Sequence, residues 1–179
     1  IVNKGGLISG NIQELNVDRL INDEGKLLST EKISGTAKKI SNVNGEVTGT
    51  QTVKLIGDKL NNLSGLIKSN GKIALDMKET SNIKGYILSD GLTKEDVKKE
   101  ENKNQKDVKE DKNKEKGIEI TGDLDNREGV IRGREISLGN LTGNNKGKID
   151  SIGALTFNGK TIVNKGGLIS GNIQELNVD

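Results

Sequence analysis

The 179-residue sequence contains no Cys, no His, no Pro and no Trp, and its aromatic residues are one Tyr and one Phe. Without Cys and His, disulfide frameworks, thiolate chemistry, the usual zinc sites and imidazole catalysis are excluded. The absence of Pro suits a chain in which every backbone N–H enters a hydrogen-bonded ladder. No apolar run approaches the length of a membrane span. Basic residues exceed acidic ones by two, 28 against 26, which is too small an excess to indicate a nucleic-acid partner.

Apolar residues are also scarce, because they make up 30% of the chain and charged residues make up another 30%. That balance by itself is close to the composition of disordered chains. The spacing of the residues overrules this interpretation, because several residue types recur in a fixed register along the whole chain. The sequence therefore has to be interpreted from its repeats.

An Asn recurs eight times, and a Gly follows at the third position after each of them. The Asn residues are Asn3, Asn22, Asn42, Asn62, Asn82, Asn126, Asn144 and Asn164. The Gly residues are Gly6, Gly25, Gly45, Gly65, Gly85, Gly129, Gly147 and Gly167. An aliphatic residue follows two positions after each Gly, and a Gly or Ser follows two positions after that. The intervals between successive Asn residues are 19, 20, 20, 20, 44, 18 and 20.

A fixed period near 20 is typical of a solenoid, in which each repeat buries its apolar face only against its neighbours. Apolar residues alternate within a repeat, as in the run from Ile73 to Met77, and this alternation predicts short strands. Strands joined in one rotational sense stack in parallel, and crossover chirality favours a right-handed coil. We therefore predict an all-β, right-handed parallel β-helix of about eight coils of about 20 residues, with one charged extra-helical loop.

The Asn and Gly columns are predicted to be architectural. We expect each Asn to take a left-handed or bridge conformation at a corner of its coil and to join a ladder of side-chain amides along the stack. The Gly supplies either a positive φ or a close approach that a Cβ would block. The residues that enter each turn are nearly as regular, since an aliphatic residue or a Thr lies two positions before each Asn, at Ile1, Leu20, Ile40, Leu60, Thr80, Leu124, Thr142 and Ile162.

One segment breaks the pattern, since residues 92–116 contain 17 charges and two Val. That composition cannot bury an apolar face, so we predict coils over 1–91, a charged flexible insertion over 92–116 and coils of the same solenoid over 117–179. Residues 1–18 reappear letter for letter as residues 162–179. We expect the chain to be a fragment of a longer array of near-identical 161-residue blocks, the alternative being an artificial duplication. Unpaired strand edges at the two ends predict head-to-tail self-association.

Carboxylates are the first candidates for chemistry. Asp123 and Asp125 flank the inward Leu124 and are expected to point outward, and stacking by the Asn column places Glu79 beside Asp123 and Ser81 beside Asp125. Such a group is the kind that a calcium site or a glycosidase acid pair uses. A solvated outer face is the simpler interpretation, because no aromatic platform for a sugar ring lies nearby.

Two groups of basic residues are candidate binding surfaces. The first occupies the third position before the Asn in successive coils, and it either attracts sulfated glycans electrostatically or simply solubilises the surface. The second lies within eight positions of one Asn and has the same two interpretations. The first group is Arg19, Lys39 and Lys59, and the second is Arg127, Arg132 and Arg134.

The unit Asn62-Leu-Ser-Gly65-Leu-Ile67-Lys-Ser69, followed by a short apolar strand, resembles the filamentous haemagglutinin repeat of large exoproteins. Gram-negative bacteria export these exoproteins by two-partner secretion. The resemblance covers the chain except for the charged segment 92–116. It implies a right-handed β-helical shaft that is secreted or displayed at the cell surface, with no catalytic activity, no cofactor and no metal.

The function implied by this resemblance is that of a structural shaft in an adhesin that attaches to host cells or other bacteria. Its implied partners are the neighbouring repeats of the same chain, an outer-membrane export partner, and host glycans or surface receptors. One alternative is the stalk of a contact-dependent toxin-delivery exoprotein. The alternative from another class is a β-helical carbohydrate-active enzyme.

Overall fold

The structure is a computed structural model that describes residues 1–99 and 116–176. Within these ranges the chain forms twelve strands and one short helix. Their bounds in chain order are β1 (Leu7–Ile21), β2 (Lys26–Ser41), β3 (Glu46–Gly49), β4 (Thr52–Asn61), β5 (Leu66–Ser69), β6 (Lys72–Ser81), β7 (Tyr86–Leu88), α1 (Lys94–Lys99), β8 (Ile118–Asp125), β9 (Val130–Gly133), β10 (Ile136–Gly143), β11 (Lys148–Phe157) and β12 (Leu168–Leu176).

The strands form two walls of parallel ladders. Strands β3, β5, β7 and β9 pair in that order and form the first wall. Strands β4, β6, β8 and β10 pair in that order and form the second wall. The long strands β2 and β11 run through a corner and pair with both walls. A chain that alternates between two walls and returns in parallel each time is a parallel β-helix, as the sequence predicts.

The stack has about seven turns rather than eight. The prediction of eight coils counted the Asn corners, and eight corners bound only seven intervals. The last corner, at Asn164, lies in the stretch that duplicates the surroundings of the first corner, at Asn3. One block of the duplicated sequence therefore holds seven turns. The right-handed sense of the coil remains a prediction from crossover chirality.

Columns of aliphatic side chains fill the interior, with one residue from each coil in each column. Side chains alternate between the two faces of a strand, so the intervening polar residues face solvent and the period of two is confirmed. On the first wall, six of the eight residues that lie two positions after the turn Gly are at most 1% exposed, and the two end members, Ile8 and Ile169, are half-buried. The six are Leu27, Val47, Ile67, Ile87, Ile131 and Ile149. On the second wall two such columns contain Ile33, Val53, Ile73, Ile118, Ile136 and Leu155, and Leu55, Leu75, Ile120, Leu138 and Phe157.

Thr142 does not share the burial of Leu20, Leu60 and Leu124, which also lie two positions before an Asn, because Thr142 is exposed. Its place in the interior is taken by Leu141, which pairs with Leu124 and is fully buried. The register shifts after Leu141, so that Thr142 is an extra residue on the outside of the corner. There its Oγ1 donates to the Leu124 carbonyl oxygen at 3.0 Å. An aliphatic side chain gains more from burial than a hydroxyl does, and the bulge lets the neighbouring residue move inward instead.

Two polar side chains replace aliphatic residues in the interior. Thr80 faces inward and is 2% exposed, but no described group hydrogen-bonds to its Oγ1. Gln13 occupies the position of Ile33 in the first coil and donates from Nε2 to the Leu28 carbonyl oxygen at 2.5 Å. No described group donates to its Oε1. These two sites are imperfections in an otherwise aliphatic core.

The predicted insertion leaves and rejoins the coil at one corner. Gly91 N donates to the Ser69 carbonyl oxygen and Ile73 N donates to the Gly117 carbonyl oxygen, so both ends lie against the same neighbouring coil. Residues 100–115 lie outside the described residues. The start of the insertion forms α1, whose capping residue Thr93 exchanges hydrogen bonds with Asp96.

The start of the insertion also touches the first wall. The Lys94 Nζ lies 4.8 Å from the centre of the Tyr86 ring. Beside Tyr86, the outward-facing Leu88 is fully buried, unlike the half-buried Lys68 that precedes it in its column. No helix among the described residues is long and apolar enough to cross a membrane.

Candidate functional site

The Asn column forms a continuous ladder of side-chain hydrogen bonds. Each Asn from Asn3 to Asn144 donates from Nδ2 to the Oδ1 of the Asn in the next coil, and the donor–acceptor distances in the ladder are 2.7–2.9 Å. The ladder crosses the longest interval without a break, because Asn82 donates to Asn126 at 2.8 Å. The insertion therefore leaves the stacking of the corners unchanged. The ladder is directional, since every amide donates toward the higher-numbered coil.

Each amide of the ladder is also tied to the backbone. The Nδ2 of Asn62 donates to the Gly65 carbonyl oxygen in its own turn at 3.3 Å and to the Tyr86 carbonyl oxygen of the next coil at 3.3 Å. Asn62 itself is fully buried. An amide buried without partners would be costly, whereas this one bonds in all the directions open to it. The ladder therefore holds each corner in register with the next.

The left-handed residue of the corner is two positions after the Asn. Of the two conformations predicted for the Asn itself, left-handed or bridge, the left-handed one is wrong, because none of the ladder Asn residues has a positive φ. The φ angle of the left-handed residue is between 52° and 66° in the described corners. Six of these residues are not Gly, so the corner accepts the strain of a side chain in the left-handed region. The residues are Gly5, Glu24, Asn44, Ser64, Lys84, Glu128, Lys146 and Gly166.

The turn Gly allows a close approach of the neighbouring coil, which is one of the two roles predicted for it. Gly65 does not have a positive φ. A Cβ on Gly65 would lie deep inside the van der Waals contact distance of the Asn42 carbonyl oxygen, and it would also strike the Asn62 side chain. The corners therefore stack tightly only because this position lacks a side chain.

An open groove of about 750 Å³ runs along the outside of the second wall, next to the Asn corners. One edge of the groove is the column at the third position before the Asn, and parallel pairing places its members in successive coils. The column changes sign along the stack, from cations to carboxylates, in the order Arg19, Lys39, Lys59, Glu79 and Asp123. The predicted cationic strip is thus one end of a longer strip of mixed charge.

The cations of the strip differ in their partners. The Lys59 Nζ lies 3.0 Å from a Glu79 carboxylate oxygen, so the ion pair stands where the column changes sign. Within the described part of the chain no ion pair or hydrogen bond reaches the side chains of Arg19 and Lys39. These two exposed cations leave their end of the groove positive.

A neighbouring column was missed by the sequence analysis. It alternates in sign as Asp18, Lys38, Asp58 and Lys78, and it forms the pairs Lys38–Asp18 at 3.2 Å and Lys78–Asp58 at 2.7 Å. The hydrogen bond from Lys78 lowers the pKa of Asp58, and the same bond raises the pKa of Lys78. The signal was present in the sequence as an alternation of charge from one repeat to the next.

The predicted neighbours in the carboxylate group are confirmed, because Glu79 pairs with Asp123 and Ser81 with Asp125 across the second wall. Each carboxylate is already engaged. Asp123 accepts a hydrogen bond from Asn140 Nδ2 at 2.8 Å. The Arg127 guanidinium donates to both oxygens of Asp125 at 2.6–2.9 Å, and this bond raises the pKa of Arg127. No group of three potential metal ligands occurs among the residues that the structure describes.

The second basic group does not form one surface. Arg127 is exposed at a corner with Asp125, whereas Arg132 is buried on the first wall with its Nε 3.2 Å from an Asp150 carboxylate oxygen. Arg134 follows the end of β9, and its backbone N donates to Asp90 at 2.9 Å. Residues that are close in sequence lie on different sides of a coil, and this separates the three cations.

Comparison of the chain with protein-family models, with curated proteins and with solved structures returns no match.

Proposed function

We propose that this chain is a structural shaft segment of a secreted or surface-displayed, haemagglutinin-like adhesin that attaches to host cells or other bacteria. The observation that carries the proposal is the Asn ladder, which runs from Asn3 to Asn164 through every corner. Because the two ends of the ladder belong to identical stretches of sequence, a following block would continue the same register. A stack of this kind grows in one dimension without changing its cross-section, as a shaft requires.

The expected dimensions agree with this role. Stacked strands are about 4.8 Å apart, so seven turns span about 34 Å along the axis. A tandem array of such blocks is a fibre whose length is proportional to the number of blocks. Host glycans or receptors would meet its outer surface, where Arg19 and Lys39 form the positive end of the groove. An outer-membrane export partner follows from the resemblance to two-partner exoproteins.

A carbohydrate-active enzyme is the weaker candidate. Glycoside hydrolysis needs one carboxylate as acid and another as base or nucleophile beside the sugar. In the groove Glu79 is paired with Lys59, and Asp125 is held by Arg127. These contacts favour a structural surface over an acid–base pair.

The shaft proposal is tested by the length of the particle. Chains with one, two and three tandem 161-residue blocks are imaged by negative-stain electron microscopy, and we expect rods that lengthen by about 34 Å with each block. A compact particle, or a width that grows with block number, would contradict the proposal.

The adhesion part of the proposal needs a second assay. Particles coated with the intact chain are tested for attachment to epithelial cells and to bacteria, and we expect more attachment than with a coating of similar net charge. A chain with Arg19→Glu and Lys39→Glu serves as the matched variant, because both side chains are exposed and lack described partners. Equal attachment of particles coated with the intact chain, with the variant and with the protein of similar net charge would refute the adhesive role. That result would not contradict the proposal of a structural shaft.

A further inference from the structure

The last stretch of the chain docks on the coil below it through backbone and ladder contacts. Asn144 donates from Nδ2 to Asn164 Oδ1 at 2.9 Å, and Leu168 N donates to the Gly147 carbonyl oxygen at 2.9 Å. Strand β12 pairs with β11 in parallel from Lys148 opposite Leu168 onward. We call residues 144–161 the docking coil and residues 162–176 the terminal coil. The terminal coil thus fits the docking coil in one defined register.

The first coil, residues 1–18, is identical in sequence to residues 162–179, which include the terminal coil. In the first coil, the groups by which the terminal coil docks make no hydrogen bond with a described residue. We call the side of the first coil that faces the second coil its far side. There Asn3 donates from Nδ2 to Asn22, but no described group donates to Asn3 Oδ1. Gly6 offers its carbonyl oxygen to Lys26 N on that same far side. A Cβ on Gly6 would meet only the side chain of Asn3 within its own turn. Among the described residues, therefore, none makes with the near side of the first coil, the side that faces away from the second coil, the contacts by which the terminal coil docks.

We propose that the docking coil is a binding site for residues 1–18 of a second copy of this chain. The first coil of the second copy takes the place of the terminal coil, and Asn144 donates to Asn3 of the second copy as it otherwise does to Asn164. Copies then join head to tail, in the register that the duplicated stretches 1–18 and 162–179 share. This is strand addition to an open sheet edge, with identical side chains filling the same interior columns.

The Asn ladder determines the direction of this assembly. Every amide donates from Nδ2 toward the higher-numbered coil and accepts on Oδ1 from the lower-numbered coil. A head-to-head contact would place Oδ1 of Asn3 against Oδ1 of its copy, and two acceptors cannot hydrogen-bond to each other. Only the head-to-tail arrangement continues the ladder. In a longer chain the same surfaces would instead receive adjoining coils of that chain.

In the intact polypeptide the terminal coil competes for the same site. Because it is tethered next to the docking coil, its effective concentration is on the order of millimolar, well above the concentration of a second copy in a dilute solution. The proposed site is therefore masked in the intact chain, and removing the tether or the terminal coil exposes it. This competition makes the intact chain the natural control.

The test compares the intact chain with a chain that ends at residue 161, by sedimentation velocity over a range of concentrations. We expect the shortened chain to form head-to-tail oligomers whose average mass rises several-fold with concentration, and the intact chain to associate much less. A synthetic peptide of residues 1–18, added in excess, should bind the docking coil and shift the shortened chain back to monomers. The same peptide with Gly6→Val should have no effect, because its side chain would collide with the Asn144 carbonyl oxygen.

A folded shortened chain that stays monomeric, or oligomers that ignore the peptide, would overturn the proposal. If circular dichroism shows that the shortened chain is unfolded, a protease site is placed between residues 161 and 162 of the intact chain and cut after folding. The cut tail should then exchange for a labelled peptide of residues 1–18 but not for the Gly6→Val peptide. Loss of the tail without uptake of the labelled peptide, or equal uptake of both peptides, refutes the inference.

Discussion

Replacing Asn62 by Ala tests the ladder where it is most deeply buried. The substitution removes the bond that Asn62 donates to Asn82 and the bond that it accepts from Asn42, each 2.8 Å long. It also removes the two longer bonds to the Gly65 and Tyr86 carbonyl oxygens, each 3.3 Å long, which add less to the loss. Two neutral hydrogen bonds contribute about 2 kcal/mol net, and the Asn82 Oδ1 left without its donor costs about another 1–3 kcal/mol. The free energy of unfolding should therefore fall by about 3–5 kcal/mol. That is a large fraction of the stability of a domain of this size.

The position of a substitution in the ladder should determine its effect. Asn164 lies at the exposed end, where it accepts one bond from Asn144 at 2.9 Å and solvent can replace the partner. Asn164→Ala should therefore cost less than about 1 kcal/mol. Asn61→Ala is the matched control, because Asn61 is next to Asn62 in sequence but exposed, and its Oδ1 accepts from Leu63 N at 3.1 Å.

The measurement is urea unfolding followed by far-ultraviolet circular dichroism, with the midpoints and slopes of all variants compared. The slopes also show whether the seven turns unfold as one unit, since long repeat arrays lose cooperativity. Equal losses for Asn62→Ala and Asn164→Ala would contradict the argument, and so would a loss at Asn62 no larger than that at Asn61. Either result would mean that the ladder follows the stacking of the backbone without stabilising it.

Three further predictions concern the core and the insertion. Ile67→Asp places a charge in the fully buried column and should lower the free energy of unfolding by several kcal/mol. Lys68→Ala, on the outer face, should change it little. Equal shifts of the thermal midpoint in the two variants would refute the inward assignment of Ile67. Thr80→Val removes a buried hydroxyl that has no described partner and should raise the stability by about 1 kcal/mol, so a loss in urea unfolding would point to a hydrogen bond at that site. Joining Gly91 to Gly117 deletes the 25 residues 92–116 and shortens the interval between Asn82 and Asn126 from 44 to 19 (44 − 25), close to the neighbouring intervals of 20 and 18. The deletion should leave the β content and the thermal midpoint nearly unchanged. Unfolding of this deletion variant would show that the insertion is an integral part of the fold.

The repeat register could be predicted from the sequence because parallel, in-register stacking places like residues on like. A residue that recurs once in every coil lies next to its own copies, so the period itself identifies the neighbours. This logic gave the solenoid, the Asn ladder, the inward aliphatic columns and the pairing of Glu79 with Asp123. It also gave the alignment of Arg19, Lys39 and Lys59 along one edge of a groove.

The same logic fails where the interval between two corners departs from the common length. The interval from Asn126 to Asn144 is shorter, at 18, and counting back from the Asn there places Thr142 in the same column as Leu124. The structure turns Leu141 inward, because the competition between two adjacent side chains for the interior depends on how the backbone bulges. Counting also could not separate Arg127 from Arg132, because Arg127 lies in a corner and Arg132 lies in the strand that follows it.

By itself the sequence determined the period, the corner residues and the core, because each of these is repeated and local to one coil. Only the tertiary structure decided that the left-handed residue is two positions after the Asn, since that depends on where the neighbouring coil needs a backbone donor. It also decided which carboxylates are paired, as in Asp125 with Arg127, and which cations remain exposed, as with Arg19 and Lys39. The partner of such a side chain depends on its rotamer and on distances of a few ångströms, and the repeat determines neither.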